Sequence, residues 1–216
     1  MNTSMLVRIP AVGVTVEGML DIPEHAVGLV LFAHGSGSSR HSPRNNYVAG
    51  VLREAGVGTL LMDLLTPEED RDYSRRFDIG LLTQRLLEAA RWVHAQAFAR
   101  SLPLGFFGAS TGAAAAIEAA ALLGADAQAV VSRGGRPDLA SREALAMVTA
   151  PTLMLVGGWD DGVIDLNQQA YDQLSCEKKL LIVPGATHLF EEPGTLEEVA
   201  RQAAAWFAGH FAPAAR

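Results

Sequence analysis

The 216 residues include 17 Lys plus Arg and 24 Asp plus Glu, which gives a formal net charge of −7, and 49% of them are hydrophobic. A mildly acidic chain without basic runs argues against nucleic acid or an anionic membrane surface as a partner. The single cysteine, Cys176, excludes an internal disulfide framework and a cysteine-rich metal site. Residues 1–8 lack the apolar core of a secretory signal, and no apolar run reaches the ~20 residues that span a bilayer, so we expect a cytoplasmic protein.

The first half of the chain predicts an antiparallel hairpin followed by alternating strands and helices. Apolar and polar residues alternate on both sides of Gly13, over residues 6–10 and 14–21, as in a hairpin at the edge of a sheet. The apolar run over residues 28–33 is typical of a strand buried on both faces. The segments that follow are a helix over 44–55, a strand over 59–63, a surface excursion over 66–76, a helix over 77–100, a strand over 104–107 and a helix over 113–123.

The second half continues this alternation. The predicted segments are a strand over 129–132, a loop over 133–138, a strand over 152–156, a helix over 167–174, a strand over 180–183 and a helix over 195–211. Thr195 is expected to cap the last helix, with Glu198 completing a capping box, and Asp165 is a candidate cap for the helix before it. This order predicts a mostly parallel sheet with helices on both faces. No linker rich in Pro, Gly or Ser divides the chain, so we expect a single domain over 1–216.

Polar side chains that can carry out chemistry follow the predicted strands at the points where the strands end. They are His34, Asp63, Ser110, Arg133, Asp160 or Asp161, and His188. The carboxyl ends of parallel strands meet at one edge of a sheet, and ligands of open α/β sheets bind outside that edge. The sequence therefore predicts a binding site there.

Residues 108–112, Gly-Ala-Ser-Thr-Gly, form a G-x-S-x-G motif between a predicted strand and a predicted helix. In this context the motif forms a sharp turn that exposes a nucleophilic serine, here Ser110, at the top of the sheet. The two glycines would permit the tight turn and the close approach of strand and helix. Taken alone, the motif leaves open a second interpretation, in which the serine only caps a buried helix.

A serine nucleophile needs a neighbouring base, and the base needs a partner that orients it. His188 is the candidate base, because it follows the last predicted strand and an imidazole can accept and return a proton near neutral pH. A purely structural or surface histidine is the alternative. The candidate carboxylate is Asp160, which the spacing to Gly157 and Val163 favours, and Asp161 stays open. A calcium loop would need alternating oxygen ligands closed by a Glu, a pattern that is absent here.

The oxyanion of an acyl-transfer intermediate needs two hydrogen-bond donors. The N–H of Thr111 is one candidate, because it lies at the start of the helix after the serine, and the N–H of Ser36 is the other. The sequence Gly35-x-Gly37 also begins a dinucleotide-binding fingerprint, but Arg40 stands at the third glycine position. No G-x-x-x-x-G-K motif is present, which argues against a nucleoside triphosphatase. We expect neither a cofactor nor a metal.

These motifs together resemble the α/β-hydrolase superfamily and, within it, the small, lid-less dienelactone-hydrolase-like members. The resemblance covers essentially the whole chain and depends on residues 34–37, 108–112, 157–163 and 185–188. It implies an α/β-hydrolase fold with an eight-stranded, mostly parallel sheet, and hydrolysis of an ester or lactone through an acyl-enzyme. One departure is Ser110, where dienelactone hydrolases usually carry Cys. Too few residues separate 129 from 152 for a large cap domain, so we expect an open site.

Two arginines, Arg133 and Arg136, lie in the loop after a middle strand. An arginine at a strand end beside a catalytic serine can hold a carboxylate or phosphate through two parallel hydrogen bonds. The alternative is a salt bridge, for instance to Asp138 or Asp63. We hypothesise that Arg133 selects an anionic substrate.

The same pocket has further candidate residues for binding substrate. Gly35 lies beside the expected oxyanion donors, and Trp159 precedes the candidate carboxylate. Arg40 and Arg44 lie near the oxyanion loop and could also hold an anion. For Trp159, a position in the core is the alternative.

The function that these patterns favour is a serine hydrolase acting on small carboxylic esters or lactones. Two alternatives stay open: a binding or regulatory protein with an idle site, and thioesterase, peptidase or phosphotriester chemistry on the same three residues. The expected partner is a small-molecule ester or lactone, with an anionic one favoured by Arg133. Nucleic acid and membrane are excluded, and a homodimer is left open.

Overall fold

The computed structural model describes residues 3–211, and an eight-stranded sheet lies at its centre. The strands are β1 (Thr3–Ala11), β2 (Val14–Ile22), β3 (Leu29–Ala33), β4 (Gly58–Met62), β5 (Leu104–Ala109), β6 (Ala127–Arg133), β7 (Thr152–Gly157) and β8 (Lys178–Val183). Their order across the sheet is β1-β2-β4-β3-β5-β6-β7-β8. β2 pairs antiparallel with β1 and β4, and all other pairs are parallel. The predicted mostly parallel sheet with a hairpin at its edge is confirmed.

Helices cover both faces of this sheet. They are α1 (Pro43–Glu54), α2 (Ile79–Ala95), α3 (Thr111–Leu123), α4 (Arg142–Met147), α5 (Asp161–Gln173) and α6 (Thr195–His210). α1 and α6 pack together on one face, while α2 and α3 pack together on the other, with α4 beside α3 and α5. Within residues 3–211, none of the helices combines the length and the apolarity needed to cross a bilayer.

The central strands alternate between two apolar cores, which explains their unbroken hydrophobic runs. In β3, Leu29 and Leu31 face the core beneath α2 and α3, whereas Val30 and Phe32 face the core beneath α1 and α6. Phe32 stacks on Phe107 of the neighbouring β5, with ring centroids 4.8 Å apart. Burial on both faces fixes these strands rigidly, and the loops at their carboxyl ends carry the candidate site.

The connection between β6 and β7 contains a single 3₁₀ turn, Pro137–Leu139, and the short α4. The structure therefore has no large cap domain within the described residues, and this expectation is confirmed. The helix α4 was not predicted. Ser141 starts it, because its hydroxyl accepts a hydrogen bond from the N–H of Ala144 at 3.1 Å.

The structure corrects the bounds of two predicted helices. α2 ends at Ala95 and not at residue 100, because the backbone of Gln96 is extended and its side-chain amide donates to the C=O of Trp92 at 3.0 Å. α5 begins at Asp161, six residues earlier than predicted, so Asp165 lies inside the helix and is not its cap.

The predicted capping box at the start of α6 is wrong. Gly194 precedes the helix with φ +83°, and the hydroxyl of Thr195 donates to the C=O of Glu192 at 2.7 Å. Glu198 pairs instead with Arg201, one turn further along, at 2.6 Å. The left-handed glycine turns the chain into the helix without a side-chain cap, which the spacing of Thr195 and Glu198 alone could not reveal.

Candidate active site

Ser110 lies in a strained turn between β5 and α3. Its φ of +49° and ψ of −122° are rare for a residue with a side chain, and such backbone strain costs about 1–3 kcal/mol. Neighbouring loops hold the turn in place: the N–H of Ser110 donates to the C=O of Arg133 at 3.3 Å, and the N–H of Arg136 donates to the C=O of Ser110 at 3.0 Å. The strained conformation places the serine at the carboxyl edge of the sheet.

The two glycines of the motif provide space, and neither has a positive φ. A Cβ on Gly108 would lie 2.4 Å from the Cα of Ala113. A Cβ on Gly112 would lie 2.2 Å from the carbonyl oxygen of Ala33, at the end of β3. Both positions therefore require glycine so that α3 can pack closely against the strands, while the unusual dihedral angles fall on the serine itself.

The loop after β3 passes directly against the serine. A Cβ on Gly35 would lie 3.1 Å from the Cβ of Ser110. The loop turns between Gly35 and Ser38, where the N–H of Ser38 donates to the C=O of Gly35 at 3.2 Å and Gly37 has φ +68°. Ser36 lies within this turn, and Thr111 lies in the first turn of α3, where backbone N–H groups have no partner in the helix.

The imidazole of His34 holds this loop through two hydrogen bonds. Its Nδ1–H donates to the C=O of Gly35 at 2.9 Å, and its Nε2 accepts a hydrogen bond from the N–H of Leu64 at 3.1 Å. This pattern defines one neutral tautomer, and burial lowers the pKa of the imidazole. His34 therefore joins the ends of β3 and β4 and is not available as a base.

His188, the predicted base, lies in contact with Asp160, the predicted carboxylate. The Nδ1 of His188 lies 2.6 Å from the Oδ2 of Asp160. The backbone C=O of Asp160 accepts the N–H groups of Val163 and Ile164 at 2.9 Å each, while its side chain does not cap α5. Asp161 is exposed in the first turn of the same helix. The structure thus brings Asp160, and not its neighbour, to the imidazole.

The loop that carries His188 is fixed by its own hydrogen bonds and by the loop after β7. The N–H and hydroxyl of Thr187 donate to the carboxylate of Glu192 at 3.0 and 2.7 Å, which lowers the pKa of that carboxyl. The N–H of Trp159 donates to the C=O of Ala186 at 2.9 Å. A Cβ on Gly157 would lie 2.4 Å from that same carbonyl oxygen, so glycine permits the two loops to touch.

Ser110 and His188 line one cleft of about 240 Å³ at the carboxyl edge of the sheet. The cleft is lined by Gly35, Ser36, Ser38, Ser42, Arg44, Asn45, Ala109, Ser110, Arg133, His188 and Leu189. Of the residues expected to bind substrate, Gly35 and Arg133 lie in its wall. Trp159 is 68% exposed and does not line the cleft. It therefore lies neither in the core nor in the pocket wall.

The arginines near the site have very different surroundings. Arg136 donates two parallel hydrogen bonds to Asp138, at 2.8 and 2.7 Å. Arg40 forms ion pairs with Asp63 and Glu17. Arg133 is only 8% exposed, and no side chain in residues 3–211 forms an ion pair with it. The salt-bridge alternative thus describes Arg136 and does not describe Arg133.

Sequence reasoning missed two residues that support the site. Gly134 has φ +49°, and a Cβ there would lie 3.1 Å from the carbonyl oxygen of His188, so glycine lets the loop after β6 pass close to the backbone of His188. The side-chain amide of Asn167, buried on α5, donates to the C=O of Gly135 at 3.0 Å. The adjacent glycines were a readable signal of close approach. No signal in the sequence indicated the role of Asn167, because its hydrogen-bond partner, Gly135, lies 32 residues away along the chain.

Comparison with known proteins places this chain in a family. No family model matches the sequence. The crystal structure of a dienelactone hydrolase from Anabaena variabilis superposes with a TM-score of 0.93 and 52% identity, over 97% of this chain and 98% of that one. The esterase domain of a Rhodothermus marinus protein shares the fold with a TM-score of 0.79 and 16% identity, over 97% of this chain and 99% of that one.

A protein of Mycobacterium tuberculosis is 56% identical over 205 residues, which cover 95% of this chain and 46% of that protein. Its provisional name is phosphoribosyl transferase. The chain therefore spans about half the length of the curated relatives it matches. The fold defines an α/β hydrolase. Within that superfamily, the chain belongs to the dienelactone-hydrolase-like family.

Proposed function

We propose that this chain is a serine hydrolase that cleaves carboxylic ester or lactone bonds of small substrates through an acyl-enzyme. Ser110 is the nucleophile, His188 the base and Asp160 the residue that orients the base. The observation that carries the proposal is the 2.6 Å contact between Nδ1 of His188 and Oδ2 of Asp160, because His188 lines the same cleft as the strained Ser110.

The contact between the imidazole and the carboxylate sets the direction of proton transfer. Asp160 accepts the Nδ1–H of His188, so Nε2 carries the lone pair that takes the proton of Ser110. The serine oxygen then attacks the carbonyl carbon, and the carbonyl electrons move onto oxygen. When the tetrahedral intermediate collapses, His188 gives the proton to the departing alkoxide oxygen. Water repeats the sequence on the acyl-enzyme and restores the free serine.

Backbone donors provide the second part of the chemistry. The N–H groups of Thr111 and Ser36 are assigned to the oxyanion, since both residues lie beside Ser110, at the start of α3 and in the turn after β3. In related acyl transfers one such donor is worth about 10²–10³ in kcat. The close approach of Gly35 to Ser110 supports this assignment, because it holds the turn that carries Ser36 next to the nucleophile.

Two other functions are compatible with the same fold. A binding or regulatory protein would keep the geometry without turnover, and thioester, peptide or phosphotriester substrates would use the same three residues. The transferase name belongs to relatives about twice as long as this chain. We therefore confine the proposal to hydrolysis by this chain, which matches less than half of those relatives.

Activity-based labelling tests the proposal. A fluorophosphonate should label the wild-type chain, and peptide mapping should find the label on Ser110. Ser110→Ala should abolish both labelling and the hydrolysis of short p-nitrophenyl esters. Ser101→Ala is a matched control, because Ser101 is exposed just before β5, at the opposite edge of the sheet. Absence of labelling together with absence of turnover in a folded wild-type chain would favour the idle-site function.

A further inference from the structure

The guanidinium of Arg133 is a buried cation that forms no ion pair with any side chain in residues 3–211. Its side chain lies at the end of β6 and is more than nine-tenths buried. The Nε and Nη1 atoms are shielded from solvent, and neither forms a hydrogen bond within residues 3–211. Buried charges in proteins are ordinarily paired and hydrogen-bonded, because removing an ion from water is costly. A guanidinium left in this state implies a partner from outside residues 3–211.

The position of Arg133 ties it to the chemistry. It lines the same cleft as Ser110 and His188, and its backbone C=O accepts the N–H of Ser110 at 3.3 Å. The next residue, Gly134, packs against His188, since a Cβ there would lie 3.1 Å from the His188 carbonyl oxygen and 3.5 Å from its Cε1. A molecule with a carbonyl group at Ser110 therefore has the Arg133 guanidinium in the wall of the space around it.

A second guanidinium faces the same space. Arg44, in the first turn of α1, lines the cleft, and its Nε is also buried without a partner. Burial first, and then the positive charge of Arg44, lower the pKa of Arg133 to about 10. Two cations that repel each other across a cleft create a positive potential there.

One carboxylate competes for this charge. Glu191, three residues after His188, lies 3.2 Å from the Nη1 of Arg44, and its side chain is 63% exposed at the rim. No carboxylate within the described residues reaches Arg133 in the same way. The nearby Arg136 and Arg40 are satisfied by Asp138 and Asp63, so they do not add to the unpaired charge.

We propose that Arg133 and Arg44 form an anion-binding subsite that holds a negatively charged oxyacid group, a carboxylate or a phosphate, on the ester or lactone substrate. The proposal rests on the hydrolase function given above. Arg133 binds the anion inside the cleft. Arg44 exchanges its ion pair with Glu191 for an ion pair with the same anion. Arginine suits this role because its planar fork can donate two parallel hydrogen bonds to one oxyacid group.

The kinetic test compares four phenyl esters that differ in charge. Phenyl acetate is neutral, 4-acetoxybenzoate and monophenyl adipate carry a carboxylate on the leaving group and the acyl group respectively, and 4-acetoxyphenyl phosphate carries a phosphate. The readout is the ratio of kcat/KM for each anionic ester to that for phenyl acetate. In wild type at least one ratio should exceed ten, and which ester gives it identifies the anion and its place in the substrate.

Four variants test which charged side chains hold the anion of the substrate. Arg133→Gln should lower the favoured ratio at least tenfold, and Arg133→Lys should restore it in part, because the charge returns without the fork. Glu191→Gln should raise the ratio two- to fivefold, since the competitor of the substrate is removed. Arg91→Gln removes an exposed arginine near the end of α2 and should leave all ratios unchanged. Ratios near one in wild type, or a ratio in Arg133→Gln within twofold of wild type, would overturn the proposal.

A binding measurement keeps this test independent of turnover. At constant ionic strength, sodium acetate or sodium phosphate should raise the melting temperature of wild type more than that of Arg133→Gln. The comparison uses wild-type and variant chains that are both folded before the salt is added. If Ser110 is not labelled and no ester is hydrolysed, yet this difference is seen, the hydrolase function fails and the anion subsite stands. If the esters are hydrolysed and neither anion gives a difference, the subsite fails and the hydrolase stands.

Discussion

Replacement of Arg133 by Met should stabilise the folded chain. The pKa of Arg133 falls from its ordinary value to about 10, chiefly because burial disfavours the charged form. At ~1.4 kcal/mol for each pH unit, this lowering corresponds to about 3 kcal/mol of stability lost at every pH below about 10. Methionine removes the charge and keeps most of the apolar stem. Because it fills the site imperfectly, we expect the free energy of unfolding to rise by about 1–3 kcal/mol.

Urea denaturation at pH 7, followed by far-UV circular dichroism, measures this change. A gain of this size should also raise the melting temperature by about 2–12 °C in a domain of this length. Arg91→Met is the control, because an exposed arginine should change stability by no more than about 0.5 kcal/mol. If the free energy of unfolding of Arg133→Met is lower than that of wild type by about 1 kcal/mol or more, the guanidinium has favourable contacts and the desolvation argument is wrong.

Three further changes test the site and its supports. Asp160→Asn should lower kcat for a short p-nitrophenyl ester by about 10³–10⁴, whereas Asp161→Asn should stay within about twofold; comparable losses in both would contradict the assignment. Gly112→Ala should leave little soluble protein on expression, because its Cβ would lie 2.2 Å from a carbonyl oxygen of β3; normal solubility and melting temperature would refute this. His34→Gln should flatten the fall in stability as pH drops below ~6.5, measured by urea denaturation, because a histidine with a lowered pKa in the fold takes up its proton preferentially on unfolding; an unchanged pH dependence would count against it.

The loop after β6 links the parts of the candidate site. Its backbone forms hydrogen bonds with both the N–H and the C=O of Ser110, its Gly134 packs against His188, and Asn167 ties it to α5, the helix that follows Asp160. A change in this loop should therefore disturb the nucleophile and the base together.

The sequence by itself determined the class of fold and the edge of the sheet where the site lies. Apolar runs that are buried on both faces mark parallel strands, and the polar residues that follow them must gather at one edge. The motif around Ser110 was readable because both glycines and the serine lie within five residues. A motif of this kind can be recognised from the sequence because its residues are close together along the chain.

The tertiary structure alone decided which of several local options was realised. It brought Asp160 to His188 and left Asp161 exposed, paired Arg136 with Asp138, and buried the Arg133 guanidinium away from any ion-pair partner in the described part of the chain. Each outcome depends on contacts or burial that involve separate segments of the chain. Spacing within one segment does not encode which neighbour a second segment will bring, because packing of the whole sheet sets those distances.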